Sequence, residues 1–325
     1  MEVFGGYTVP WRVPEGYMVI VGGVEVLLSV RGNYSGLHFE NIDFTGLMLA
    51  QSTFDGARFT ECKMDATEFS HSSFRGATFI ECNLDSVAMF FCDLTDAEFL
   101  ACCAPGARLN MASLHRTVIT GSYLMEAQIS NSLIFDTWFN RCEMSNTIFE
   151  GSLLKGVLFS DSCLEMTNLI RTVVEELCFN NCLLTSARMM EMSALDIRFY
   201  HCVSHEALSF KASTLDGAIF DATALPYSNF SGCGIKNSHW DRSNIAFSEM
   251  NGSRIVNAVM YSSGFNHVDF FNAELSGIEA RACRLRNLSL EGSKISNSRI
   301  ENCLGMNSDW SAAVLDNVEF VEAIL

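Results

Sequence analysis

Residues 57–84 read ARFTECKMDATEFSHSSFRGATFIECNL, with Phe59, Met64, Phe69, Phe74, Phe79 and Leu84 at every fifth position. Extended outward, the series runs from Phe39 to Phe199 with an apolar residue at every step. A second series runs from Phe210 to Leu325, and only Gly305 in it lacks an apolar side chain. Of the 25 phenylalanines, 19 lie on the two series, where chance would place about five. With the rung position written i, position i−2 is small or apolar throughout, as at Ala57, Cys62, Thr67, Ser72 and Ala77. Two inward residues separated by one outward residue is strand geometry, because alternate side chains face opposite sides. The remaining two positions, rich in Ser, Asn, Asp and Gly, must turn the chain into the next short strand. Each quintet therefore forms one side of a coil.

A longer period counts the sides. Phe39, Phe59, Phe79, Phe99, Ile119, Phe139, Phe159, Phe179 and Phe199 are spaced by 20, and so are Cys62, Cys82 and Cys102. Four sides of five residues give a square coil. The quintets then make about 14 coils, a rod on the order of 68 Å at about 4.8 Å per hydrogen-bonded layer.

Runs such as GARFT-ECKMD-ATEFS and DGAIF-DATAL resemble the A(D/N)LXX signature of pentapeptide-repeat proteins. The resemblance covers about residues 36–325, with Phe favoured over Leu at i. It implies an all-β fold, a right-handed quadrilateral β-helix with i and i−2 inside. Residues 1–35 do not follow the period and are expected to form a small N-terminal β cap, since a solenoid's end coil exposes apolar rungs and unpaired backbone. Residues 36–325 are expected to form the repeat domain, with a one-residue register shift between 199 and 210. Phe199 and Phe210 are 11 residues apart, so one extra residue must bulge there. Leu325 is itself an i residue. That predicts either an end-to-end dimer through the C-terminal coil or a chain that continues further.

Charge narrows the partners. There are 38 acidic against 21 basic residues, a net charge of −17, which argues against direct nucleic-acid binding because phosphate contacts need clustered Lys and Arg. The apolar run at Tyr17–Val30 is too short to span a bilayer, so no membrane insertion is expected. The start carries no basic n-region or cleavage site of a secretory signal. Thirteen cysteines without framework spacing suit a reducing compartment. The bacterial cytoplasm is the expected location, with signal-independent secretion into a host cell as the other route.

No phosphate loop, nucleophile elbow or zinc-protease motif occurs, so neither catalysis nor a cofactor is expected within these residues. His201, Cys202 and His205 are the one tight His/Cys group, but a fourth ligand is lacking and Cys202 continues an interior column, so no metal is expected. The cysteines at i−2 read as small buried hydrophobes. Residues 40–100 are strongly acidic, and Glu61/Glu81 and Asp65/Asp85 are each 20 apart. Glu61, Asp65, Glu81, Asp85, Asp93 and Asp96 form the candidate partner-binding acidic patch. A basic stretch with Arg281, Arg284, Arg286, Lys294 and Arg299 lies far along the rod.

Two functions follow. The first is a non-enzymatic scaffold that binds a protein partner, as in the β-helical part of bacterial effector-like proteins. The second is an acidic DNA mimic that occupies a type II topoisomerase (gyrase) and modulates quinolone sensitivity, as the resemblance implies for shorter family members.

Overall fold

A computed structural model describes residues 16–324; residues 1–15 of the expected cap and the Leu325 rung lie outside the described residues. Strands β1 (Tyr17–Val21) and β2 (Val24–Leu28) pair antiparallel. Gly22 and Gly23, with φ of 57° and 82°, supply the left-handed pair that a two-residue hairpin turn demands. Val19, Val21 and Leu28 are buried in the same core as the first coil. The Tyr34 hydroxyl accepts a hydrogen bond from Ser29 N (2.6 Å), which ties the hairpin to the rod.

After the hairpin, the described strands form one parallel sheet wound into a four-walled tube. Numbered in chain order, wall 1 stacks the rungs below Tyr34 (Phe54, Phe74, Leu94) and wall 2 those below Phe39 (Phe59, Phe79, Phe99). Wall 3 stacks those below Phe44 (Met64, Leu84, Ala104) and wall 4 those below Leu49 (Phe69, Met89, Leu109). Walls 1 and 3 are opposite. Residue i pairs with i+20: Phe39 with Phe59, Phe59 with Phe79, and so on to Phe199. Wall 2 carries 14 successive pairings from Phe39 to Phe320. About 14 coils of a square parallel solenoid is the fold that the period implies.

The rungs fill the bore. On wall 2 the rings of Phe39, Phe59, Phe79 and Phe99 stack nearly parallel, with centroids 5.0, 4.8 and 4.5 Å apart. Ile119 interrupts the stack, which resumes through Phe139, Phe159, Phe179, Phe199, Phe220 and Trp240. Each stacked pair adds about 0.5–1.5 kcal/mol beyond its burial.

Position i−2 has a second duty. Thr67 Oγ1 donates to Phe44 O (2.8 Å), and Ser132 Oγ donates to Leu109 O (2.9 Å) while Ser132 N donates to Ser152 Oγ (3.0 Å). A small hydroxyl here satisfies corner backbone groups that bulkier apolar residues would leave unpaired. Cysteine does the same more weakly: Cys62 Sγ reaches Phe39 O at 3.4 Å. The corner itself sits at i+2, where residue after residue is left-handed, as at Glu61 (φ 53°), Ala66 (52°) and Phe91 (58°).

The extra residue near 205 stays on the surface. Ser204 and Leu208 are both buried and enclose a three-residue exposed turn, His205, Glu206 and Ala207, where two residues suffice elsewhere. Ser204 Oγ donates to Glu206 O (2.5 Å) and Ser186 Oγ to Glu206 Oε2 (3.0 Å). Wall pairing continues past the turn with a step of 21, Val203 to Ala224 and Phe199 to Phe220. No wall is broken.

Candidate functional site: the outer faces of the walls

Every outward side chain belongs to one of four walls or their corners, so the period decides which residues meet. Glu61 and Glu81 stand at the corner of walls 2 and 3, and Asp65 and Asp85 on wall 3, each pair on successive coils. Partial burial, together with the neighbouring charges of Asp85 and Asp43, raises the Asp65 carboxyl above its ordinary value. Among the described residues none of these four makes an ion pair.

Asp93 and Asp96 are elsewhere, on wall 1 and at its corner with wall 2. Arg75 Nη1 lies 2.9 Å from Asp93 Oδ2, and Arg116 grips Asp96 through Nε (2.6 Å) and Nη2 (2.8 Å). Burial at Asp93 is outweighed by hydrogen bonds from Thr95 and by Arg75, so its carboxyl falls below the ordinary value. The Arg116 hydrogen bond lowers Asp96 in the same way. The six carboxylates thus form two groups, one on wall 3 and its corner with wall 2, the other on wall 1 and its corner with wall 2: four without an ion pair, two paired with arginines.

Cys202 is buried and its Sγ reaches Phe179 O (3.4 Å), whereas His201 and His205 point into solvent. Among the described residues no three His, Cys, Asp or Glu side chains are grouped to hold a metal. All 13 cysteines are free thiols. Burial pushes Cys92 up to about 12, and Cys142 and Cys233 up to about 11, leaving them protonated and unreactive. Cys103, on wall 3, is exposed.

An apolar outer ridge escapes a reading that looks only inward. On wall 2, Val118, Trp138, Leu158 and Cys178 pair in succession at the outward i−1 position. On wall 1, Leu133, Leu153 and Val173 do likewise. Trp138 is 56% exposed, Leu133 47% and Val173 52%. Lys155 pairs with Glu175 (2.8 Å) at the edge between them. Each column is a run of partly exposed apolar side chains bordered by the charged edge between the walls, the usual mark of an interaction site. The signal was present as a 20-residue spacing of Leu133, Leu153 and Val173.

Two apolar features lie at the C-terminal end. The last described rungs, Leu315 and Phe320, are 46% and 38% exposed. Behind them the bore holds a cavity of about 50 Å³, lined by Met260, Phe265, Leu275, Ala280, Ile300 and Trp310 among others. Ala280 takes a wall-2 rung that is Phe220 or Trp240 in earlier coils, and so leaves the space.

Residues 33–109 match the family described as Pentapeptide repeat region. No curated protein matches the chain. Among solved structures, it is similar to HetL, a pentapeptide repeat protein involved in heterocyst differentiation regulation from the cyanobacterium Nostoc sp. strain PCC 7120. Identity is 15% over 71% of this chain and 90% of that one, with a TM-score of 0.47. It is also similar to a trypsin-treated variant of QnrB1, a plasmid-mediated fluoroquinolone resistance protein, at 21% identity over 62% and 91% of the chains and a TM-score of 0.30. Residues 33–109 are thus a pentapeptide-repeat region, and the same five-residue walls continue from it through Cys303.

Proposed function

We propose that the rod is a non-catalytic scaffold that binds a protein partner through the apolar ridge of walls 1 and 2. The exposure of Trp138 between Val118 and Leu158 on wall 2, with the Leu133, Leu153 and Val173 column on the adjoining wall 1, carries the reading. A large aromatic on a flat, rigid wall is the residue type that dominates binding energy at protein interfaces. A wall fixed by hydrogen bonds from coil to coil loses little entropy when it docks. Affinity capture with the full chain, run beside Trp138→Ala and Leu133→Ser, tests it. A specific partner should be retained by the wild type and bound at least tenfold more weakly by Trp138→Ala, whose melting temperature should be unchanged. Equal retention by all three sinks the ridge as the contact.

An end-to-end contact through the last described coil is a weaker reading. Asp309, Asp316, Glu319 and Glu322 surround Leu315 and Phe320, with no base after Arg299. In an end-to-end pair these like charges would face each other. For the DNA-mimic reading, the charge of −17 is in favour. Against it, Asp93 and Asp96 are already paired with arginines, and wall 3 turns basic at Arg284 and Arg286. Added to a gyrase supercoiling assay, the purified chain is expected neither to inhibit nor to protect from quinolone.

A further inference from the structure

Wall 3 carries a charge pattern that is complementary to its own reverse. Its outward i−1 column runs by successive bridges from Asp43 through Lys63, Asn83, Cys103, Tyr123, Glu143, Cys163, Leu183 and Val203 to Arg284. At the early end Asp65 and Asp85 lie on the wall and Glu61 and Glu81 on its edge, with Lys63 the single base among them. At the late end one coil brings Arg281, Arg284 and Arg286 together. Among the described residues Arg284 and Arg286 make no ion pair, while Arg281 shares Glu301. Between the ends, Tyr123 is 54% exposed and Cys163, Leu183 and Val203 are half-buried.

We propose that two copies of this chain associate through wall 3, side by side and antiparallel. A two-fold axis lying in the interface and crossing the rod reverses the coil order but keeps each outward column on its own track. With the axis at the coil of Leu184, Asp85 comes opposite Arg286 of the second copy, and Asp65 lies one coil away. Glu81 comes to the corner at Ala282, between Arg281 and Arg284. Leu183 meets its own copy at the centre, flanked by Cys163 against Val203. Glu165, one coil from the centre, falls opposite the coil that carries both His205 and Glu206, so each copy sets one like charge near it there, against the larger opposite-charge clusters at the ends. Both ends satisfy the complementarity at once, because the operation is symmetric. The face is roughly 60 Å by about 13 Å, on the order of 800 Å² per copy, the size of a standard specific interface. The overall charge of −17 opposes any self-association. Beyond about 8 Å that repulsion is screened at physiological salt, whereas the facing pairs are in contact. Wall 1 and most of wall 2 remain free, so the pair presents two Trp138 ridges, and a partner with two sites gains avidity.

Sedimentation velocity on the full chain, from 1 to 100 µM (about two decades spanning weak and standard affinities), tests the proposal. The wild type is expected to be a dimer that weakens at least tenfold in 1 M salt, where the screening length is about 3 Å. Asp65→Lys with Asp85→Lys sets lysines against arginines. Arg284→Glu with Arg286→Glu sets carboxylates against carboxylates. Each double variant should be monomeric, with circular dichroism and melting temperature confirming an intact rod. An equimolar mixture of the two should dimerise. The two-fold then opposes lysine to glutamate at one end and native aspartate to native arginine at the other. A monomeric wild type, variants that dimerise like the wild type, or a mixture that stays monomeric would each overturn it. Only the first would leave wall 3 to a different partner. None of these outcomes bears on the Trp138 ridge.

Discussion

At the scale of the residue, each position in the quintet answers to one physical demand, and substitutions should follow it. The rung i fills the bore. Phe159 is fully buried between Phe139 and Phe179, so Phe159→Ala should cost about 3–5 kcal/mol in urea unfolding. The corner i+2 reverses the usual rule for glycine. Ala66 is exposed and left-handed, a conformation that costs an L-residue about 1–2 kcal/mol. Ala66→Gly should therefore stabilise the protein, by up to about 1 kcal/mol after the added unfolded-state entropy; a loss of stability would contradict the corner geometry. The wall-3 carboxyl Asp65 has a native value raised above the ordinary 3.8, so its ionisation opposes folding at neutral pH. Asp65→Asn should raise the melting temperature at pH 7 by about a degree or two, the scale of like-charge pairs, and the gain should vanish as pH falls through that raised value. Asp96 has the opposite sign. Its lowered value means the Arg116 pair contributes above pH 3.8 and is lost below it, so Arg116→Ala should lower the melting temperature at pH 7 and leave it unchanged near pH 2.

At the scale of the element, the coil was legible because its two periods are written in different residues. Phenylalanine marks the five-residue side and the Cys62–Cys82–Cys102 column marks the 20-residue turn. The insertion was legible for the same reason, since a strict period exposes one surplus residue. Its accommodation was not, because only the structure places Ser204 and Leu208 inward and confines the surplus to His205–Ala207. Deletion of Ala207 should leave the fold intact and change stability by less than about 1 kcal/mol, as surface changes do. Deletion of a wall residue such as Val174 would throw an inward side chain outward and should prevent folding. The hydroxyl duty of i−2 could not be read from composition, since Ser, Thr, Cys and Ala there look interchangeable until the carbonyls of Phe44 and Leu109 are seen above them. The cavity beside Ala280 offers an independent check on bore packing. At about 24 cal/mol per Å³, its roughly 50 Å³ corresponds to about 1 kcal/mol, and Ala280→Val should recover much of it.

At the scale of the whole molecule, surfaces follow an arithmetic that proximity in sequence conceals. Residues that differ by 20 share a wall, whereas Asp85 and Asp93, eight apart, lie on opposite ones; the acidic patch therefore divides, while Leu133, Leu153 and Val173 become one ridge. A solenoid's stability is close to a sum of nearest-neighbour terms, so its ends should open first. Amide exchange is expected to be slowest mid-rod, near Phe159 and Phe179, where coils stack on both sides. The central claim is that aromatic and aliphatic rungs fill a straight square bore, one layer per 20 residues. A spin-label ruler along wall 2 tests it most directly, with Cys103 replaced by serine so that only buried or half-buried native thiols remain and labelled chain diluted with unlabelled. Arg58 and Arg198 lie seven coils apart, and Arg58 and Glu279 eleven. At about 4.8 Å per coil the account predicts narrow distributions centred near 34 and 53 Å. Distances that do not grow in proportion to the number of coils, or a second distance no longer than the first, would contradict it.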